Sequence, residues 1–78
     1  MSLNKAAVEL MKARGYVPSA EVARVTTYSG SSIRNWANDG KVKGLRLGGQ
    51  LFVCYEDLIK HLTPEVAEAL GLEKIKPT

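Results

Sequence analysis

The chain of 78 residues is poor in the side chains that carry most protein chemistry, with one cysteine, one histidine, one tryptophan and one phenylalanine. A lone cysteine, Cys54, cannot close an internal disulfide or build a zinc site by itself, and it reads as a small packed residue at the end of a strand. The lone histidine, His61, has Lys60 and Leu62 as immediate neighbours and no orienting carboxylate beside it. The serines and Cys54 have no recognisable base either, so no catalytic residue is expected and an enzyme is the least favoured class. Gly48 and Gly49 sit between strands rather than before a helix, which removes a phosphate-cradling loop. No apolar run approaches the roughly 20 residues of a membrane span, and nothing resembles a signal peptide. The expectation is a cytoplasmic chain with no membrane contact, no metal, no cofactor and no small-molecule ligand.

What is present points to one small folded domain. Hydrophobic residues make up 45% of the chain, enough for a core, though at this length the core is marginal without staples or a partner. The formal net charge of +3 hides a strong division. Residues 24 to 54 carry Arg24, Arg34, Lys41, Lys43 and Arg46 against Asp39, a net +4, while residues 55 to 73 carry Glu56, Asp57, Glu65, Glu68 and Glu73 against Lys60, a net −4. The basic half has the electrostatic footprint of a surface for a polyanion.

Along the chain, Ser2 or Asn4 is placed to cap a leading helix over residues 1–15, with Leu3, Ala6, Ala7, Leu10 and Met11 as its apolar stripe and Gly15 as a left-handed stop. That stripe either packs on the domain or meets another copy, and packing is favoured because a small domain needs the area. Ser19 reads as the N-cap of a second helix with Glu21 in its first turn, where negative charge suits the dipole. A polar turn at Thr26, Thr27, Tyr28 and Ser29 follows, with Ser29 capping the next helix. Thr27 disfavours positive φ, so the turn is expected to be mildly strained or of another shape than one built on glycine.

The helix from Gly30 to Asp39 has two unlike faces. Ile33, Trp36 and Ala37 recur at the spacing that places side chains on one side, facing a core. Ser31, Arg34, Asn35 and Asn38 fall on the other, with hydrogen-bonding groups that suit base edges and phosphates. A solvated polar face is the plainer reading of such a helix alone. The helix before it, with Val22, Ala23 and Val25, and the tight turn between them give the spacing of a helix-turn-helix. Ser29, Gly30 and Ser32 complete the expected contact set at the helix start.

From Lys41 the period changes. Leu45 and Leu47, then Leu51 and Val53, alternate with polar neighbours about the Gly48-Gly49 reversal, the pattern of a hairpin. The four apolar residues are expected to face the core, leaving Arg46, Gln50 and Phe52 outside with Lys41 and Lys43 near the base. A cationic hairpin beside a reading helix is a wing, with Arg24, Lys41, Lys43, Arg46, Gly48, Gly49 and Gln50 as its backbone-contacting set. Phe52 either packs under the leading helix, joins copies, or touches sugar edges. Tyr55, Glu56, Asp57 and Leu58 start a further helix with Leu58, Ile59 and Leu62 apolar. Thr63 and Pro64 open a closing helix within residues 63–72, where Val66, Ala67 and Leu70 are expected to close the core. The tail is placed over residues 73–78, with Lys74 to Thr78 expected to fray.

The succession AEVARV, TTYSGSSIRNW and DGKVKGLRLGGQLFVCYEDL resembles the excisionase-like and MerR-type winged-helix DNA-binding domains, over Tyr16 to about Leu62. The resemblance rests on Ala23, Ser29, Ile33, Gly40, Arg46, Gly48 and the run Glu56, Asp57, Leu58. It implies a mainly α fold with a small β-hairpin, a winged helix-turn-helix, here with an added N-terminal helix and a short C-terminal one, in a single domain over residues 1–78. It also implies double-stranded DNA as partner, with the helix from Gly30 in the major groove and the wing at a flanking groove. In such proteins Gly30 is often basic and the wing tip after Gly48 often arginine, so these departures imply weaker binding by one copy. Further copies of the chain on DNA are the other expected partner. The absence of a long C-terminal coiled-coil helix speaks against a ligand-sensing regulator. The expected role is a recombination directionality factor or small transcriptional regulator of a phage or mobile element. The alternative is a winged-helix module for protein contact or DNA packaging, using the leading stripe and Phe52.

Overall fold

The computed structural model describes residues 5–77; the capping expectations for Ser2 and Asn4 and the placing of Leu3 lie outside them. The described chain is a mainly α domain of five helices and a small three-stranded antiparallel sheet. In order it forms α1 (Lys5–Ala13), β1 (Tyr16–Pro18), α2 (Ser19–Val25), α3 (Gly30–Asn38), β2 (Gly44–Leu47), β3 (Gln50–Cys54), α4 (Tyr55–Leu62), α5 (Pro64–Leu70) and a 3-10 turn over Leu72–Ile75.

The stops and caps follow their local chemistry. Gly15, Gly40 and Gly71 end helices with positive φ of 87°, 79° and 79°, where a side chain would be strained. The Ser29 hydroxyl accepts from Ser32 N–H at 3.2 Å, filling one of the orphan donors of α3. Thr27 has no positive φ; the turn is instead held by Thr26, whose Oγ1 donates to Val22 O at 2.7 Å and accepts from Tyr28 N–H at 3.3 Å. Ser19 is not a cap. The preceding Pro18 occupies that place and offers no side-chain bond, so α2 begins one residue early.

Tyr16 to Pro18 is an edge strand paired with β3 in the order β1-β3-β2. Three residues with a proline give too short a period to be legible. α1 packs on this strand. Its buried side is Met11, with Ala7 and Val8 half-buried, while Leu10 is 56% exposed and Ala6 is exposed. The expected stripe is therefore rotated, leaving Leu10 in solvent.

The hairpin faces also differ from expectation, for a geometric reason. A two-residue loop sets Leu47 opposite Gln50, hence Leu45 opposite Phe52, Arg46 opposite Leu51 and Gly44 opposite Val53. Directly opposed residues share a face of the sheet, so Leu45 and Leu47 must lie with Phe52, away from Leu51 and Val53. Leu45 is 46% and Leu47 38% exposed, while Phe52 is fully buried. Burial leaves Phe52 packed within the domain and removes its copy-joining and sugar-edge alternatives. Phe52 and Met11 stand apart from the main buried cluster, which gathers Val17, Val22, Ile33, Val42, Val53 and Leu58 between the sheet and the helices.

The chain end closes that cluster. Leu72 and Ile75 are buried and their 3-10 turn packs on α2, so the segment expected to fray from Lys74 is anchored as far as Ile75. Ala67 is buried and Leu70 half-buried, but Val66 is 40% exposed and does not close the core.

Candidate nucleic-acid interface

Apolar burial on one side of α3 sets which side chains its other side presents. Ile33 is fully buried, Trp36 is half-buried against the core, and Ala37 is half-buried beside Gly44 of β2. Trp36 lies between Tyr28 of the preceding turn, with ring centroids 4.9 Å apart, and His61 of α4, at 4.8 Å, both edge-on. Edge-to-face aromatic pairs add about 0.5 to 1.5 kcal/mol beyond area burial, and here the contacts of Trp36 join the turn, α3 and α4. Ser31, Arg34, Asn35 and Asn38 are all exposed, as the spacing anticipates. Nine residues of helix make a ridge of about 13 Å, and helix diameter matches the roughly 12 Å width of a DNA major groove. No acidic residue lies within α3.

The remaining candidates surround this ridge unevenly. Ser29 and Gly30 are exposed at its start, while Ser32 is half-buried and its hydroxyl lies 3.2 Å from that of Ser29, so it serves the cap first. Lys41, Lys43, Gly48 and Gly49 are exposed and Gln50 is half-buried. Arg46 is exposed, but the register turns it to the face of Leu51 and Val53 rather than the outer side expected from sequence. That is the face on which α3 packs, since a Cβ built on Gly44 would stand 3.0 Å from the Ala37 Cβ. Arg46 therefore stands on the sheet face covered by α3, the helix that carries Arg34. Arg24 is exposed at the end of α2 but shares Glu21 with Lys12, at 3.6 and 3.5 Å, so its charge is partly spent within the fold. Arg34, Lys41, Lys43 and Arg46 have no ion-pair partner among the described residues.

Two positioning contacts escape a reading of spacing alone. After α3 the backbone turns back, with Lys41 N–H and Val42 N–H both donating to Trp36 O, at 2.9 and 3.3 Å, which carries Val42 into the core. Lys43 N–H then donates to the Asp57 carboxylate at 3.1 Å, tying the base of the hairpin to the first turn of α4. The acidic start of α4 is visible in sequence; its partner fourteen residues earlier is not. Among the described residues no three His, Cys, Asp or Glu side chains converge as a metal site needs, and no helix is long and apolar enough to cross a membrane.

Compared with protein-family models, curated proteins and solved structures, the chain matches none.

Proposed function

We propose that the chain is a winged helix-turn-helix protein that binds double-stranded DNA sequence-specifically, acting as a recombination directionality factor or small transcriptional regulator of a phage or mobile element. α2 and α3 form the helix pair, β2 and β3 the wing, α1 is an addition, and the place of action is the cytoplasm or nucleoid. The observation that carries the reading is an exposed ridge of Ser31, Arg34, Asn35 and Asn38 on α3, with the exposed Arg46 on the sheet face that α3 packs against. Arginine and asparagine are the side chains that make bidentate contacts to guanine and adenine in the major groove. Lys41, Lys43 and Arg46 supply phosphate contacts, and the exposed start of α3 at Gly30 adds backbone donors.

Selection from a pool of randomised duplexes, followed by footprinting of the winner, tests this. The expected result is an enriched motif with protection of one major-groove segment and a flanking groove. Recovery of no motif, with no shift of any duplex, would overturn it.

A second reading, protein contact or DNA packaging, draws support from Leu10, Leu45 and Leu47, all substantially exposed. Of the surface first expected for it, Met11 and Phe52 are buried and Leu10 is exposed.

A further inference from the structure

α4 meets different surroundings on its two sides. Asp57 and His61, one turn apart, face the hairpin base and Trp36. Tyr55 and Ile59, also one turn apart, lie roughly 160° around the helix and floor a groove of about 720 Å³. Arg14, Lys60 and Lys76 stand exposed on its rim, against Glu56 as the acid there. None of the three cations has an ion-pair partner among the described residues. A smaller hollow of about 300 Å³ continues along the same floor and ends at Pro64, Glu68 and Glu73. Lys76 lines both hollows, so the groove runs from a net-basic end at Arg14 and Lys60, beside Glu56, over an apolar floor to a net-acidic end at Glu68 and Glu73.

The geometry points to a docking groove for a linear segment of a partner protein, with carboxylates that meet Arg14, Lys60 and Lys76, an apolar side chain seated on Tyr55 and Ile59, and a basic residue at the Glu68 and Glu73 end. Charge complementarity selects this occupant. A nucleic acid carries the same charge along its whole length and would be repelled where the groove turns acidic, whereas a peptide can change sign along its length. The volume is within the range of sites that enclose a few side chains. Because the floor faces away from α3, a partner held here leaves the α3 ridge open. The inference goes beyond the DNA-binding reading and does not depend on it.

The probe is a fluorescein-labelled synthetic peptide with an acidic run, a leucine-phenylalanine-leucine centre and a lysine pair, measured beside a counterpart with every charge inverted. Anisotropy should show saturable binding with Kd below about 1 mM for the first peptide and markedly weaker binding for the second. The double variant Arg14→Gln, Lys60→Gln, at exposed positions, should lower peptide affinity about fivefold or more while circular dichroism and duplex binding stay as in the parent chain. Equal binding of both peptides, no binding of either, or no loss in the variant overturns the proposal. So does loss of duplex binding in the variant, which would make the groove a nucleic-acid surface. Concentration-dependent self-association that the variant abolishes would assign the groove to a second copy and overturn it too. Peptide binding without any duplex binding would sink the DNA reading alone.

Discussion

Asp57 accepts a hydrogen bond from the backbone N–H of Lys43 at 3.1 Å, and this one contact joins the root of the hairpin to the helix behind it. A carboxylate acceptor makes the bond stronger than a neutral one, although the site is not fully dry. Asp57→Ala should lower stability by about 1 kcal/mol and speed hydrogen exchange at the Lys43 amide. Denaturation and exchange measured on the same samples check this. The accompanying loss of duplex affinity should exceed that of Glu56→Ala, which removes a neighbouring charge without freeing the hairpin.

Two glycines beside α3 should behave oppositely on substitution. A methyl at Gly44 would stand 3.0 Å from the Ala37 Cβ and 3.4 Å from Phe52 O. Gly44→Ala should therefore push α3 from the sheet and destabilise by about 1 to 3 kcal/mol. At Gly30 an added Cβ meets nothing within 4 Å and φ is not in the positive range, so Gly30→Ala should stabilise by about 0.4 to 1 kcal/mol. Thermal unfolding of both variants tests the pair. Equal effects would contradict the close approach of α3 to β2.

The turned hairpin makes its own prediction. Phe52→Ala should cost about 3 to 5 kcal/mol, as a fully buried aromatic does. Leu45→Ser and Leu47→Ser, at half-exposed positions on the same face, should each stay within about 1 kcal/mol of the parent. The reverse order in urea denaturation would restore the inward-facing assignment of the leucines.

Burial, and then the charge of Glu73, raises the Tyr55 phenol above its ordinary value of 10.0. A raised phenol pKa means that the folded state holds its proton more tightly than the unfolded chain. The associated stability is fully present below about pH 10 and is lost as pH climbs from there through the folded value. Absorbance titration should show a tyrosine ionising late, and Glu73→Gln should bring that step down. A step unmoved by Glu73→Gln would remove the charge contribution.

Much of this was legible in the residues, and the rest was not for identifiable reasons. The unlike faces of α3, the cap at Ser29 and the stops at Gly15, Gly40 and Gly71 are local features, set by side chains within a turn of each other. The hairpin turn is equally local, but alternation alone points all four apolar residues inward, whereas the pairing that a two-residue loop imposes turns Leu45 and Leu47 to the face of Phe52. Tyr16 to Pro18 became a strand only by pairing with β3, and Leu72 and Ile75 became core only by returning to α2. Those are contacts between distant parts of the chain, which local periodicity does not encode. Trp36 was expected to be a core residue and is half-buried instead, held between Tyr28 and His61. The ridge itself needed only spacing; the side on which Arg46 stands needed the register.

The central claim is that α3 reads duplex DNA while the basic hairpin grips its backbone, and the salt dependence of duplex affinity tests both halves at once. For the parent chain on its selected duplex, log affinity against log salt should fall with a slope of about −3, from the phosphate contacts of Lys41, Lys43 and Arg46. Arg34→Ala should lose about 1 to 3 kcal/mol and relax base preference, whereas Lys41→Ala should lower affinity for every sequence and make the slope shallower by about 1. A flat salt dependence, with affinity and preference unchanged by Arg34→Ala, would contradict the account.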